Sequence, residues 1–87
     1  MSDLTNLRNI GLRSAEWLNS VGIRTLEDLA EIGVVGAYMR TKDAFPDQVT
    51  LNLLYALQAA TLDIDWKQVP ESMKRDLREQ VSEYGAD

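Results

Sequence analysis

Apolar residues recur at helical spacing through most of the chain, and the breaks between them are glycines, prolines and capping residues. Leu4 and Leu7 are spaced for one opening helical turn. Ala15, Leu18 and Val21 then share a stripe, which predicts a helix from about Leu12 to Ser20 that Gly22 ends in a left-handed cap. Thr25 followed by Asp28 is a capping pattern, and it predicts a helix over about Leu26 to Ile32 with Leu26, Leu29 and Ala30 inward and Gly33 as its stop. Val34 to Ala44 follows, with Val34, Ala37, Tyr38 and Thr41 on the inner side, and Pro46-Asp47 breaks it. Thr50 is a good N-cap for the next helix, which runs to about Thr61. There Leu53, Leu57 and Ala60 form one stripe and Leu51, Leu54, Tyr55 and Leu62 another. A helix apolar over more than half its circumference belongs at the centre of a bundle.

Residues 63–69 read as a turn with a short helical piece anchored by Trp66, and Pro70 suits the first position of a last helix. In that helix Met73, Leu77, Val81 and Tyr84 make one narrow stripe, so it should dock on the surface by one edge, and the tail beyond it should fray. No segment alternates apolar and polar residues between turn signals. The fold class expected is all-α, a small multi-helix bundle containing a helix-hairpin-helix-like unit. Its hairpin is the turn at Asn9, Ile10 and Gly11, where asparagine and glycine tolerate a left-handed backbone and a missing side chain allows close approach.

Composition narrows the possible functions. Eighty-seven residues make one domain, 1–87, with a thin core. With 45% hydrophobic and 26% charged residues the chain is an ordinary globular one. No cysteine and no histidine occur, which removes the thiolate, the commonest metal ligand and the usual acid–base group. The carboxylates are scattered along surface helices. No catalytic residue, metal site or cofactor is therefore expected, and an enzyme is the least expected class. The apolar run near residues 51–62 is too short to cross a bilayer, and the start lacks a basic segment leading into an apolar one, so a cytoplasmic protein with no membrane partner is expected.

The net charge of −5 disfavours general nucleic-acid binding. Acidity is uneven. Residues 1–30 set Arg8, Arg13 and Arg24 against Asp3, Glu16, Glu27 and Asp28, three against four. Residues 61–87 set Lys67, Lys74, Arg75 and Arg78 against seven carboxylates, Asp63, Asp65, Glu71, Asp76, Glu79, Glu83 and Asp87.

The blocks Leu7 to Gly11, Ser14-Ala15, Trp17-Leu18, Val21 to Ile23, Thr25 to Leu29, Ala37-Tyr38, Leu51 to Leu57, Asp65-Trp66 and Val69-Pro70 occur in an order that resembles the C-terminal domain of the TfoX (Sxy) competence regulators. The resemblance spans roughly residues 5 to 78. It implies an all-helical fold related to helix-hairpin-helix modules. It also implies a role in expression of DNA-uptake genes, alongside the cyclic-AMP receptor protein at promoters. The separate N-terminal domain of the full-length regulators is absent, so a stand-alone relative is expected. Leu12 stands where many relatives carry proline.

Two readings of the turn remain open. It is either a packing device or a phosphate cradle, in which backbone N–H groups near Gly11 and Leu12 donate and Arg8 and Arg13 supply charge. The candidate nucleic-acid-binding residues are Arg8, Asn9, Ile10, Gly11, Leu12, Arg13 and Arg24. The expected partner is either the DNA backbone or a protein such as a transcription regulator, docked on the hairpin face or the last helix. Trp17 and Trp66 are expected in the core, an exposed Trp17 being the mark of a partner surface.

Overall fold

The computed structural model describes residues 10–84, and among these the regular structure is entirely helical. Five α-helices follow one another: α1 (Leu12–Ser20), α2 (Leu26–Ile32), α3 (Val34–Ala44), α4 (Leu51–Leu62) and α5 (Glu71–Tyr84). A 3₁₀ turn at Trp66–Gln68 stands between the last two. The expected opening turn at Leu4 and Leu7, the hairpin residues Arg8 and Asn9, and the last residues of the tail lie outside the described residues.

Local chemistry sets the ends of the helices. At the end of α1 the Ile23 N–H donates to the Leu18 carbonyl (2.9 Å) and the Gly22 N–H to that of Asn19 (3.1 Å), while Gly22 takes φ +89°. This double bond across a left-handed glycine is a Schellman ending, and Leu18 and Ile23, both fully buried, make the apolar contact that accompanies it. Thr25 caps α2 by accepting the Asp28 N–H (3.1 Å). The Asp28 carboxylate accepts from the Arg24 N–H (3.0 Å), one residue before the cap. Gly33, at φ +90° and ψ 154°, joins α2 to α3 in a backbone region open essentially to glycine alone. Asp63 ends α4 at φ 55° and ψ 44°, a left-handed position that aspartate tolerates better than most residues.

The core forms around α4. From Leu53 to Ala60 no residue is exposed, and Leu54, Leu57 and Ala59 are sealed completely, so this helix is enclosed as its sequence predicted. Leu18, Ile23, Leu29, Ala37, Tyr38 and Val49 close on it from the other elements. Each fully buried leucine or isoleucine contributes on the order of 1.5–3 kcal/mol. Thr41 is the buried polar residue of this core, and its hydroxyl donates to the Ala37 carbonyl (2.8 Å) within its own helix. The loop before α4 is tied by Lys42, whose ammonium donates to the carbonyls of Pro46 (2.8 Å) and Val49 (2.7 Å).

The last helix docks along one edge, where Leu77 is buried and Met73 and Val81 half-buried. Arg78 Nη1 donates to the Tyr55 hydroxyl (2.9 Å), and this bond holds the guanidinium pKa above its ordinary value. Arg78 also faces Glu71 at 3.6 Å, an exposed pair worth little.

Several expectations give way to packing. Gly11 is extended (φ −84°, ψ 175°), so it does not provide a left-handed turn, and among the described residues a Cβ there would meet nothing within 4 Å. Ala30 is exposed, because α2 is only seven residues long and Leu29 alone is fully buried in it. Leu51 and Leu62 lie exposed at the two ends of α4, beyond the reach of the neighbouring helices. Tyr84, 61% exposed, extends past the groups that could cover it. Pro70 stands one residue before α5, where its carbonyl accepts the Lys74 N–H (3.0 Å). Trp17 is half-buried and Trp66 is 41% exposed, so neither is a core aromatic.

The glycines give a paired test. Gly22→Ala should cost about 1 kcal/mol by chemical denaturation, because its positive φ penalises a side chain, whereas Gly11→Ala should cost less than about 0.5 kcal/mol. Tyr38 gives another. Burial, with Tyr55 beside it, raises its phenol pKa above the usual 10.0. The unfolded chain therefore loses that proton first, and stability should be intact below pH 10 and fall as pH rises through the folded-state value. Tyr38→Phe should flatten the alkaline limb of a stability–pH curve.

Candidate functional site

Of the residues singled out by sequence, Ile10, Gly11, Leu12 and Arg13 stand at the start of α1, and Arg8 and Asn9 lie outside the described residues. Ile10 is buried at 5% exposure, so its side chain is withdrawn from the surface, while Gly11, Leu12 and Arg13 are exposed. Gly11 is the N-cap and supplies no side-chain cap, and no acidic residue occupies the first turn. Among the described residues, no first-turn carboxylate competes for the first N–H groups of α1. Leu12 is 75% exposed, an unusual position for a leucine at a helix start. Arg24 is also exposed, but it lies beyond the far end of α1, a helix that rises about 13 Å. Arg13 and Arg24 do not converge.

Beside this start lies a groove of about 250 Å³. Trp17 and Trp66 line it, with Leu53 and Ala56 between them and Ser14, Gln48, Thr50 and Asn52 supplying the polar groups. Ser14 belongs to the first turn of α1, so the groove and the exposed helix start adjoin. Both indoles are held in place. Trp17 Nε1 donates to Gln48 Oε1 (3.2 Å), and its ring lies 6.2 Å from that of Phe45 at a tilt of 32°. Trp66 sits on a 3₁₀ turn closed by a capping box, in which the Lys67 N–H donates to Asp65 Oδ1 (2.9 Å) and the Asp65 N–H to Gln68 Oε1 (3.0 Å). The Lys74 ammonium stands 6.0 Å from the Trp66 ring centroid and 5.3 Å from that of Tyr55, a cation between two aromatic faces.

No charged side chain lines the groove, and no group of three or more potential metal ligands exists among the described residues. The chemistry on offer is indole surface, amide and hydroxyl, which is chemistry for binding.

The sequence pattern of the TfoX C-terminal domain matches residues 1–81. The chain belongs to that family. Two crystal structures of Listeria monocytogenes proteins share the family fold with it. One, of an uncharacterized protein in a triclinic form, is 29% identical with a TM-score of 0.85, over 95% of this chain and 93% of that one. The other, of a protein of unknown function in a tetragonal form, is 32% identical with a TM-score of 0.81, over 87% and 93% of the two chains. No curated protein matches the chain. Within the described residues of this TfoX C-terminal domain, no helix is long and apolar enough to cross a membrane.

Of the groove residues, Gln48 belongs to no motif, and Asn52 and Trp66 enter only through the blocks that carry the family resemblance. The one signal in the sequence was a tryptophan in a short turn, held between Asp65 and Lys67 rather than within an apolar stripe.

If the groove is a binding surface rather than core, its Trp66 wall should tolerate truncation better than the sealed core does. Trp66→Ala should cost about 1 kcal/mol or less, whereas Leu57→Ala, in the sealed part of α4, should cost about 2–5 kcal/mol. Urea unfolding of the two variants measures both.

Proposed function

We propose that this TfoX C-terminal domain is a non-enzymatic regulatory binding module that docks on a protein partner, a transcription regulator, through the face made by the start of α1 and the Trp17–Trp66 groove. The observation that carries this reading is the pair of partly exposed indoles facing one groove lined by no charged side chain among the described residues, with Leu12 and Leu51 exposed in the segments that adjoin it. Tryptophans of this kind are the residues that most often dominate binding energy at protein interfaces. The net charge of −5 points the same way, since it opposes approach to a phosphate backbone. The family resemblance supplies the regulatory context and the cyclic-AMP receptor protein as the first partner to try.

A second reading rests on one observation of its own. The open, acid-free start of α1, with Arg13 in its first turn, suits a phosphate, and a helix-hairpin-helix-like turn built with Arg8 and Asn9 would place a DNA backbone there without reading bases.

One titration separates the two. With a labelled promoter duplex, the docking reading expects anisotropy to rise on adding the domain only when the receptor protein is already bound, and Trp66→Ala to weaken that rise about tenfold. Salt-sensitive binding to the bare duplex, lost in Arg8→Glu with Arg13→Glu, would overturn that reading in favour of direct backbone contact.

A further inference from the structure

A second surface, which shares no lining residue with the tryptophan groove, runs between α3 and α5. Two depressions of about 620 and 400 Å³ meet at Ile32 and Gly36, which line both. Gly36 keeps the junction low, and a Cβ on it would stand 3.2 Å from Ile32 Cγ2. The apolar lining comes from Ile32, Val35, Met39, Met73 and Leu77, with the exposed Tyr84 at one end. Methionines at two of these positions make the surface adaptable, because an unbranched thioether repacks at little cost.

The charges along this trough are asymmetric in what they touch. Its lining includes Asp43, Asp76 and Arg40. Arg40 Nη1 donates to the Val21 carbonyl (3.3 Å). The nearby cations are also engaged: Lys42 on two loop carbonyls, Lys74 over the rings of Tyr55 and Trp66, and Arg78 on Tyr55 and Glu71. Among the described residues neither Asp43 nor Asp76 has a hydrogen-bond or ion-pair partner, and the same holds for Glu31, Glu79 and Glu83, which follow or precede lining residues directly in sequence. Arg75 is the one cation beside the trough without such a partner among those residues. The carboxylates face solvent, while most of the cations are turned to other tasks.

We propose that this trough is a docking site for a basic amphipathic helix of a partner protein. An apolar face would seat on Ile32, Val35, Met39 and Met73, and lysines or arginines on its flanks would meet Asp43 and Asp76, the arrangement by which helices bind grooves. The complementary charge also accelerates encounter and excludes acidic segments. A second copy of this chain suits the trough poorly, because the narrow apolar stripe of α5 is already docked and its outer face mixes Lys74, Arg75 and Arg78 with Glu71, Asp76, Glu79 and Glu83.

The test uses the full chain and a fluorescein-labelled peptide of about 14 residues, four helical turns, with leucines at helical spacing and lysines flanking them. Saturable binding is expected, weakened about tenfold for a scrambled peptide of the same composition and about tenfold by Asp43→Lys with Asp76→Lys. Both aspartates are exposed, so the double variant should keep its fold, which circular dichroism checks. NMR shift changes should concentrate at Ile32, Gly36, Met39 and Met73. Equal binding of the scrambled peptide, indifference to the double substitution, no binding at all, or shifts centred on Trp17 and Trp66 would each overturn the proposal. The last outcome would move the partner to the tryptophan groove and leave the docking reading standing.

Discussion

The enclosure of α4 is the constraint on which the other elements depend. It is apolar over more than half its circumference, so it is stable only where helices and loops cover that surface. Leu18, Ile23, Leu29, Ala37 and Val49 are the covering groups, each with essentially no exposure. Two of them, Leu18 and Ile23, also form the apolar contact of the Schellman turn, so the reversal after α1 and the core are made by the same side chains. Disturbing the turn would disturb the core.

Covering α4 uses up the large aliphatic residues and leaves other apolar residues outside. Trp17, Trp66, Leu12, Leu51 and Tyr84 remain partly or largely exposed. A domain this small cannot bury every apolar group, and scattered exposure needs no explanation. Here the exposure is not scattered. Trp17 and Trp66 line one groove, and Met39, Met73 and Tyr84 line a trough on other elements. Among the described residues the domain thus has one aromatic face lined by no charged side chain and one apolar face edged by carboxylates.

The candidate site was legible in part. The sequence marked the start of α1 as unusual, and the structure places Gly11, Leu12 and Arg13 there in the open. It did not show that Ile10 turns inward, that Arg24 stands apart, or that Trp66 reaches the same groove as Trp17. Those two tryptophans are far apart in the chain, and their meeting depends on how the segment after α4 folds back along α4, a matter on which helical periodicity is silent.

What the sequence determined by itself is the set of helices and their ends. Thr25, Gly22, Gly33 and Thr50 act through bonds to backbone groups a few residues away, so their effect is fixed by local order and is readable without the fold. The central place of α4 was equally readable, because a helix apolar over more than half its circumference belongs inside a bundle. Only the tertiary structure decided which residues at the margins are covered. Ala30, Leu51, Leu62 and Tyr84 match their helical stripes yet lie exposed, since a stripe states which way a side chain points and not whether a neighbour reaches it. Burial is a property of two surfaces, and a single chain segment specifies one of them.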